Sequence, residues 1–378
     1  MKLILKLLAG IVAGVIIGLT NIEWLIRTLI TVRDVLGQFI GFMIPLIILF
    51  FIASGVSKLG RESGKLVGLT VGTAYTSTIL AGTLAFFVGI TLMPFIAKEG
   101  QVPTSDATFE PFLEFEIAPI MGVVTALVLA FTFGIAMARL KTETLINFFD
   151  EGKNIVELVI KKVVIPLLPL YIAGIFTGMA AEGVVFDTLK VFGIVLLVAI
   201  ALHWIWITVL YVVAGSISKQ NPFALMKNML PAYFTGVGTM SSAATIPVTL
   251  RQTKENKVND KVADFVIPLS ATIHLSGSTI TIVSCSIAVM TLMDGLTVPS
   301  FIGIIPFILM LGIIMVAAPG VPGGAIMAAV GILGSMLGFG EAAIGLMIAL
   351  YMAQDSFGTA ANVTGDGAIA VIVDNYSK

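Results

Sequence analysis

The sequence predicts an all-α polytopic membrane protein with eight transmembrane helices and two re-entrant helical hairpins. Of its 378 residues, 58% are hydrophobic and only 11% are charged, and the mean hydropathy is +1.07. A soluble domain carries about 25% charged residues, more than twice the fraction in this chain. Most of the surface of this protein must therefore face lipid. The apolar runs have the length of a spanning helix, about 20 residues, and lack the alternation of a membrane β-barrel.

The elements are expected in a fixed order along the chain. Six spans lie near 3–20, 30–56, 64–95, 117–138, 150–180 and 184–215, followed by a broken segment near 221–254, a span near 262–292, a second broken segment near 298–338 and a last span near 340–374. The first span has a positive start but no cleavage site followed by a polar chain, which favours a helix over a secretory signal.

The distribution of positive charge supports this order. With the N-terminus inside, all 21 lysine and arginine residues fall on the cytoplasmic side except Arg27, Arg33, Lys98 and Lys190. The longest outer loop, near 96–116, is acidic. The bias follows the positive-inside rule only if both broken segments return to the side from which they came. We therefore expect re-entrant hairpins, in a protein of the cell inner (plasma) membrane with both termini in the cytoplasm.

Each broken segment has a short tip rich in small residues and proline: residues 241–247 (SSAATIP) and residues 317–324 (AAPGVPGG). Non-helical backbone at membrane depth must be buried in protein or line a wet cavity. Two hairpins that enter from opposite faces indicate an inverted repeat with a binding site between the tips. The alternative is that these segments are ordinary loops between helices, in which case the charge bias is lost.

Four polar residues, Asp355, Thr359, Asn362 and Asp366, are spaced to lie on one face of the last span. A charged carboxylate at mid-membrane costs about 2.5–3.5 kcal/mol on insertion scales. The span near 340–374 contains no lysine or arginine. The positive charge is therefore expected from outside the chain, as a metal cation, a proton or a substrate ammonium group. The alternative is a pair of acids near a wet helix end.

The preceding span contains a polar run, residues 272–279 (TIHLSGST). Glycine and small hydroxyl residues there permit local unwinding, which exposes carbonyl oxygens suited to alkali cations. His274 can titrate near physiological pH, or it can be a neutral packing residue, and His203 is expected to be interfacial or structural. In the first tip, Ser241 and Ser242 offer hydroxyl and backbone N–H groups to an anionic group such as a substrate carboxylate.

Together these motifs resemble the dicarboxylate/amino acid:cation symporters, the glutamate transporter family, and the chain looks like a divergent bacterial-type member. The likeness is specific over residues 235–374. Residues 241–249 are similar to a serine-rich hairpin ending in Thr-Leu-Pro-Val-Thr, and residues 320–323 match Gly-Val-Pro-Gly. Residues 355–366 match Asp-x-x-Arg-Thr-x-x-Asn-Val-Thr-Gly-Asp except at Gly358.

The resemblance implies a homotrimer in which a transport domain moves as an elevator against a scaffold. The scaffold would be residues 1–63 and 96–183, and the transport domain would be residues 64–95 and 184–378. The implied substrate-binding residues are Ser241, Ser242, Ser278, Val321, Asp355, Gly358, Thr359 and Asn362. The implied sodium ligands are His274, Asn362 and Asp366, with Thr272 and Ser276 as weaker ones.

The resemblance also assigns roles within this set. Asp355 would bind the substrate α-ammonium group, Asn362 would hold the substrate, and Thr359 would help to order the pocket. The backbone of Ser242 and the second hairpin near Val321 would hold the carboxylate. One sodium site would combine Asp366 and Asn362 with unwound carbonyl groups near His274.

Two departures from the family pattern change the expected cargo and coupling. The arginine that pairs with an acidic substrate is Gly358 here, and Met240 supplies no replacement, so we expect a neutral amino acid. The family's Asn-Met-Asp-Gly-Thr reads HLSGS at residues 274–278, which puts Ser276 in place of a sodium-binding carboxylate and weakens that site. Two residues of the third span, Tyr75 and Thr78, would be its remaining partners.

The expected function is symport of a neutral amino acid with sodium ions. The alternatives are a sodium-independent, proton-coupled or exchange carrier of amino acids or carboxylates, and an anion channel through the same cavity. An enzyme is not expected, because no motif pairs a nucleophile with a base, and no cofactor is implied beyond the coupling ion. The net charge of −1 argues against a nucleic-acid partner, and the single cysteine, Cys285, excludes disulfides within the chain.

Overall fold

The computed structural model describes residues 2–61, 64–97, 109–113, 116–140 and 143–377. Within these ranges the regular structure is helical, as predicted. The helices are α1 (Lys2–Leu19), α2 (Glu23–Arg61), α3 (Lys65–Ile96), α4 (Val123–Leu140), α5 (Glu143–Val159), α6 (Ile165–Ala181), α7 (Val185–Ser218), α8 (Pro222–Asn228), α9 (Leu230–Thr239), α10 (Ser242–Glu255), α11 (Asp260–Ile273), α12 (Ser276–Leu292), α13 (Phe301–Ala317), α14 (Gly324–Leu337) and α15 (Glu341–Ser377). A π-helical turn, Ile160–Val164, joins α5 to α6.

Among the described residues, six helical stretches are long and apolar enough to cross a membrane. They are Glu23–Lys58, Lys65–Ile96, Val123–Leu140, Glu143–Ala181, Val185–Ser218 and Asp260–Leu292. The most apolar window of the last stretch is 94% buried, whereas that of Val123–Leu140 is 28% buried. The pair α11 and α12 therefore lies at the centre of the molecule, and α4 lies at its periphery.

The helix ends differ from the predicted spans at several places. The span predicted near 117–138 begins at Val123, because the preceding residues, from 116 to 122, are not helical. The span predicted near 150–180 begins already at Glu143. The acidic loop predicted near 96–116, with Lys98, lies mostly outside the described residues.

The first broken segment is a helical hairpin formed by α9 and α10, which pack against each other. Helix α9 ends where Met240 adopts a left-handed backbone conformation, with φ 53°, and donates its N–H to the carbonyl of Gly236. Ser241 follows in an extended conformation, and its hydroxyl accepts a hydrogen bond from the N–H of Ala244, which caps α10. The chain thus reverses within two residues, in agreement with the predicted tip.

The second broken segment forms a hairpin of α13 and α14 in the same way. Residues 318–323 separate the two helices. Gly323 has φ +74°, and a side chain there would bring its Cβ to 2.8 Å from the sulfur of Met352 in α15. Only glycine satisfies both the left-handed backbone and this close approach. The span before the last is also interrupted, because α11 ends at Ile273 and α12 starts at Ser276.

The helices pack as two groups. Helices α1, α2, α4, α5 and α6 contact one another extensively, and so do α3, α7 and α9–α12 with α15. The second hairpin bridges them, since α13 and α14 contact α2 as well as α12. A cavity of about 510 Å³ lies at this boundary, with Phe51, Lys58 and Lys153 on one side and Pro319 and Gly320 on the other.

Candidate functional site

The polar stripe of α15 faces the interior of the second group of helices. Asp355, Thr359, Asn362 and Asp366 are 3%, 5%, 1% and 0% exposed. Among the described residues, neither carboxylate forms an ion pair with a lysine or an arginine. The structure therefore excludes the alternative of two acids at a wet helix end.

Asp355 lies against the tip of the second hairpin. Its Oδ2 atom accepts a hydrogen bond of 2.7 Å from the backbone N–H of Gly323, at the N-terminus of α14. The hydroxyl of Thr359, one turn later in α15, lies 3.5 Å from Oδ1. The hydroxyl of Tyr351 also hydrogen-bonds this carboxylate. All three donors are neutral, so the negative charge of Asp355 is available to a cationic group.

The tips of the two hairpins meet. The hydroxyl of Ser241 donates a hydrogen bond of 2.9 Å to the carbonyl oxygen of Gly320. Ser242 is buried, and Val321 lies half-buried at the other tip. The structure thus brings together the segments that were assigned to the substrate carboxylate.

Asn362 holds the start of α12. Its Oδ1 accepts hydrogen bonds from the N–H of Gly277 at 2.8 Å and of Ser278 at 3.3 Å, and its Nδ2 donates to Ser278 Oγ at 3.0 Å. Leu275, the residue before α12, provides no side-chain cap. Because both lone pairs of the amide oxygen are engaged, Asn362 caps α12 across the interface instead of presenting a free oxygen.

His274 and Asp366 form a buried pair at the break between α11 and α12. His274 Nδ1 lies 2.9 Å from Asp366 Oδ1, and His274 Nε2 lies 2.9 Å from Ser77 Oγ in α3. The indole N–H of Trp206 in α7 also donates to Ser77 Oγ. Helices α15 and α3 therefore both contact the imidazole ring, and α7 is linked to it through Ser77.

Several buried oxygen atoms on this pair, or on residues two positions away from it in the sequence, suit a hard cation. Asp366 Oδ2 is buried without a hydrogen-bond partner among the described residues, as are the hydroxyl groups of Ser276 and Thr364. Carboxylate and hydroxyl oxygens are the ligand types that hard cations prefer. Thr272 does not join them, because its exposed hydroxyl donates to the carbonyl of Leu269. Within the described chain there is no cluster of three or more His, Cys, Asp or Glu residues of the kind that holds a transition metal.

Gly358 faces the first turn of α12. A Cβ atom there would lie 3.5 Å from Ser278 N and from Thr281 Oγ1, which are ordinary contacts. Position 358 therefore contributes no side chain next to Ser278, where an arginine would place a guanidinium group.

Sequence reasoning missed some members of the site. Tyr75 and Thr78 were singled out in the third span, but their hydroxyls donate to the carbonyls of Leu309 and Ala74, and Ser77 between them contacts His274 instead. His203 is structural and not interfacial, since it is fully buried and its Nε2 lies 3.0 Å from the carbonyl oxygen of Gly277.

A second missed residue is Tyr351, whose hydroxyl lies 3.0 Å from Ser278 Oγ and also hydrogen-bonds the carboxylate of Asp355. It lies one turn before Asp355, so the polar stripe extends further toward the start of α15 than the sequence pattern indicated. The only available signal was its position, because tyrosine is an ordinary residue in a buried helix.

Two helical hairpins whose tips meet beside buried carboxylates, within a bundle of membrane-length helices, define a membrane transporter. Comparison with known proteins agrees and gives the family. The sequence profile of the sodium:dicarboxylate symporter family matches residues 3–376. The chain belongs to that family, whose members transport small molecules across membranes.

Individual relatives differ in how much of the chain they match. The serine/threonine transporter SstT of Enterococcus faecalis is 26% identical across 97% of this chain and 90% of its own length. The excitatory amino acid transporter 2 of Homo sapiens is 30% identical across 65% of this chain and 43% of its own length. The excitatory amino acid transporter 1 of Ambystoma tigrinum is 28% identical across 70% of this chain and 50% of its own length. The chain thus spans about half the length of the excitatory amino acid transporters that it matches.

Proposed function

We propose that this protein is a sodium-coupled symporter of a neutral amino acid. The observation that supports this most directly is the environment of Asp355. The carboxylate is buried, its hydrogen-bond donors are neutral, and the position three residues later is Gly358. A buried anion calls for a cationic group such as an α-ammonium group. An acidic side chain on the same substrate would find no guanidinium partner at position 358.

The rest of the substrate would be held by the two hairpin tips. The substrate carboxylate would accept hydrogen bonds from hydroxyl and backbone N–H groups at Ser241, at Ser242 and at the second tip near Val321. Helix N-termini also favour anions. Thr359 would order Asp355, and Ser278 would face the substrate side chain beside Gly358. Asn362 would contribute by fixing the start of α12.

Asp366 is the proposed centre of a sodium site. Its unpartnered Oδ2 and the neighbouring hydroxyl of Ser276 supply oxygen ligands, while His274 orients the carboxylate from the other side. A sodium ion there would neutralise Asp366. The bound cargo and the ion would then together balance the negative charges of Asp355 and Asp366. Thr272 contributes nothing to this site, given its exposed position.

Movement would follow the boundary between the two groups of helices. We assign residues 1–63 and 96–183 to a scaffold, and residues 64–95 and 184–378 to a transport domain with two re-entrant hairpins and inverted repeats. The cavity of about 510 Å³ between α2, α5 and the second tip lies on the side to which the charge bias assigns the cytoplasm. The cavity supports an elevator mechanism in which substrate gains access from the cytoplasm. The proposed assembly is a homotrimer in the inner membrane, with cytoplasmic termini.

The deciding experiment is uptake into liposomes containing the purified protein. A thermal-shift screen of twenty amino acids, with sodium chloride or choline chloride, identifies the substrate first. Radiolabelled substrate should then accumulate only under an inward sodium gradient. If no amino acid stabilises the protein and none is taken up, the proposed function is wrong.

One observation favours a second candidate, a sodium-independent carrier coupled to protons. His274 lies within hydrogen-bond distance of Asp366, and the pair could carry a proton in place of the metal cation. Uptake that is unchanged when choline replaces sodium, but follows a pH gradient, would select this version over sodium symport.

A further inference from the structure

One of the two histidines of the chain, His203, has no role in the proposed function. It lies in α7 and is fully buried, and its Nε2 atom lies 3.0 Å from the carbonyl oxygen of Gly277 in α12. A carbonyl oxygen can only accept a hydrogen bond, so Nε2 carries the imidazole proton and donates it. The other ring nitrogen, Nδ1, is then unprotonated, and it has no hydrogen-bond partner among the described residues.

The histidine donates to a carbonyl group that a threonine of the same helix would usually contact. Buried threonines such as Thr177 and Thr249 donate to the carbonyl four residues earlier in their own helices. The equivalent carbonyl for Thr281 is that of Gly277, but the Thr281 hydroxyl instead lies 3.2 Å from His203 Nε2. Helix α7 therefore supplies a donor that α12 would otherwise supply to itself.

This carbonyl belongs to the peptide unit that joins Gly277 to Ser278, and the unit is held at both ends. The N–H of Ser278 donates to Asn362 Oδ1 at 3.3 Å. The carbonyl, which points the opposite way in a trans peptide, accepts from His203. A side chain at position 277 could not take part, because its Cβ would overlap the carbonyl oxygen of Gly358. Helices α7 and α15 thus fix one peptide in the first turn of α12.

The Gly277–Ser278 peptide borders the proposed cargo pocket. Its nitrogen would lie 3.5 Å from a Cβ at Gly358, and Ser278 is the residue proposed to face the cargo side chain. Rotation of this peptide would therefore move the wall of the pocket beside Gly358. A binding group that is fixed before the ligand arrives avoids the loss of affinity that comes from ordering it on binding.

We propose that His203 is a positioning residue of the cargo site, and that it acts through the Gly277–Ser278 peptide. This inference rests on the proposed function. The neutral imidazole donates from Nε2 to the Gly277 carbonyl and keeps the first turn of α12 in the orientation that receives the cargo. In the described structure His203 forms no hydrogen bond to Asp355 or Asp366, so its contribution passes through the backbone of α12.

Two amides of different length test which atom of the ring is needed. Glutamine places its N–H group about as far from the backbone as Nε2, whereas asparagine reaches only as far as Nδ1. His203→Gln should therefore keep the affinity for cargo within about twofold of the wild-type value, and His203→Asn should lower it by about 3- to 10-fold, the value of one neutral hydrogen bond. Isothermal titration with the substrate identified in the thermal-shift screen measures both affinities, and the melting temperature without cargo is measured beside them.

The control is Thr208→Val, because this threonine of α7 donates within its own helix, to the carbonyl of Trp204. It should bind cargo as the wild-type protein does. The proposal is overturned if His203→Gln loses as much affinity as His203→Asn. It is also overturned if both variants lower the melting temperature but bind cargo normally, since that is the result of a purely structural role.

Nitrogen NMR of the histidine side chains keeps the inference testable if His203→Asn does not fold. The wild-type protein should show His203 with its proton on Nε2, and a proton on Nδ1 would exclude the donation to Gly277. The spectrum of His203→Gln assigns the signal, because the chain has only one other histidine. A wild-type protein that binds no amino acid would instead refute the proposed function itself.

Discussion

The imidazole ring of His274 lies between Asp366 and Ser77, with its two nitrogen atoms 2.9 Å from a carboxylate oxygen and 2.9 Å from a hydroxyl oxygen. Trp206 can only donate, and it donates to Ser77 Oγ. The hydroxyl of Ser77 can then donate its proton to His274 Nε2. The neutral imidazole therefore carries its own proton on Nδ1 and donates it to Asp366. This arrangement fixes the orientation of one carboxylate oxygen and leaves Oδ2 without a partner among the described residues.

Replacing Asp366 should therefore abolish the effect of sodium. In Asp366→Asn, the site loses its negative charge and one of its oxygen ligands, while the hydrogen bond to His274 can be retained by the amide. We expect sodium chloride to stabilise the wild-type protein more than choline chloride does, as binding to the folded state requires, and to give no such difference in the variant.

Thr272→Val is the matched control for that experiment, because the Thr272 hydroxyl is exposed and donates to Leu269. Its sodium response should equal that of the wild-type protein. A sodium-dependent shift in melting temperature that survives in Asp366→Asn would remove Asp366 from the ion site.

Asp355→Asn should remove amino-acid binding without unfolding the protein. Truncating one partner of a buried, hydrogen-bonded charge pair costs about 2–5 kcal/mol, which corresponds to a loss of affinity of at least roughly 30-fold. Isothermal titration with the substrate identified in the thermal-shift screen measures this loss. Asp187→Asn, at an exposed position near the start of α7, should bind normally, and an equal loss in both variants would argue against a pocket at Asp355.

Gly358→Arg should shift the preference toward aspartate and glutamate. The Cβ of the new side chain meets only ordinary contacts, and its guanidinium group supplies the partner that an acidic substrate lacks. A hydrogen bond to a charged group contributes about 1.5–3 kcal/mol, so the ratio of acidic to neutral affinity should rise at least tenfold in competition assays. Gly358→Gln adds a polar side chain without charge and should not raise this ratio of affinities. The pocket assignment fails if the neutral substrate still binds best to the arginine variant.

The first hairpin depends on a close approach between α9 and α15 at Gly236. A Cβ there would lie 2.8 Å from the Cα of Ala360, so Gly236→Leu should force the hairpin away and destabilise the protein by about 1–3 kcal/mol. Gly238→Leu makes the same change in the same helix, where a Cβ has nothing within 4 Å. A melting temperature that falls equally in both variants would mean that helix packing is not the cause.

The sequence was most informative where the physical constraint is local. The spacing of Asp355, Thr359, Asn362 and Asp366 predicts one helical face, because the helix repeat fixes it. Proline and glycine near 319–323 predict a break, because proline lacks an N–H donor and glycine readily adopts left-handed conformations. The polar run near 272–279, with a glycine and small hydroxyl residues, predicts local unwinding. The structure confirms both breaks.

The sequence was least informative where partners are distant in the chain. Ser77 and His274 are 197 residues apart, and nothing in the third span distinguishes Ser77 from Thr78 as the contact. Tyr351 could not be recognised, because its role depends on the register of α12 against α15. Thr272 was grouped with His274 because the two are close in sequence, although the Thr272 hydroxyl is exposed and His274 is buried.

The hydrogen bond between Ser241 Oγ and Gly320 O has a pharmacological consequence. Since this bond ties the two tips together, we expect a bulky group bound at that point to separate the two hairpin tips and to hold the molecule in a single conformation. Blockers are therefore best designed as cargo analogues that carry a rigid extension aimed at this seam. They should compete with cargo while remaining on the side of the bilayer to which they were added, and an analogue that is itself carried across would contradict this design rule.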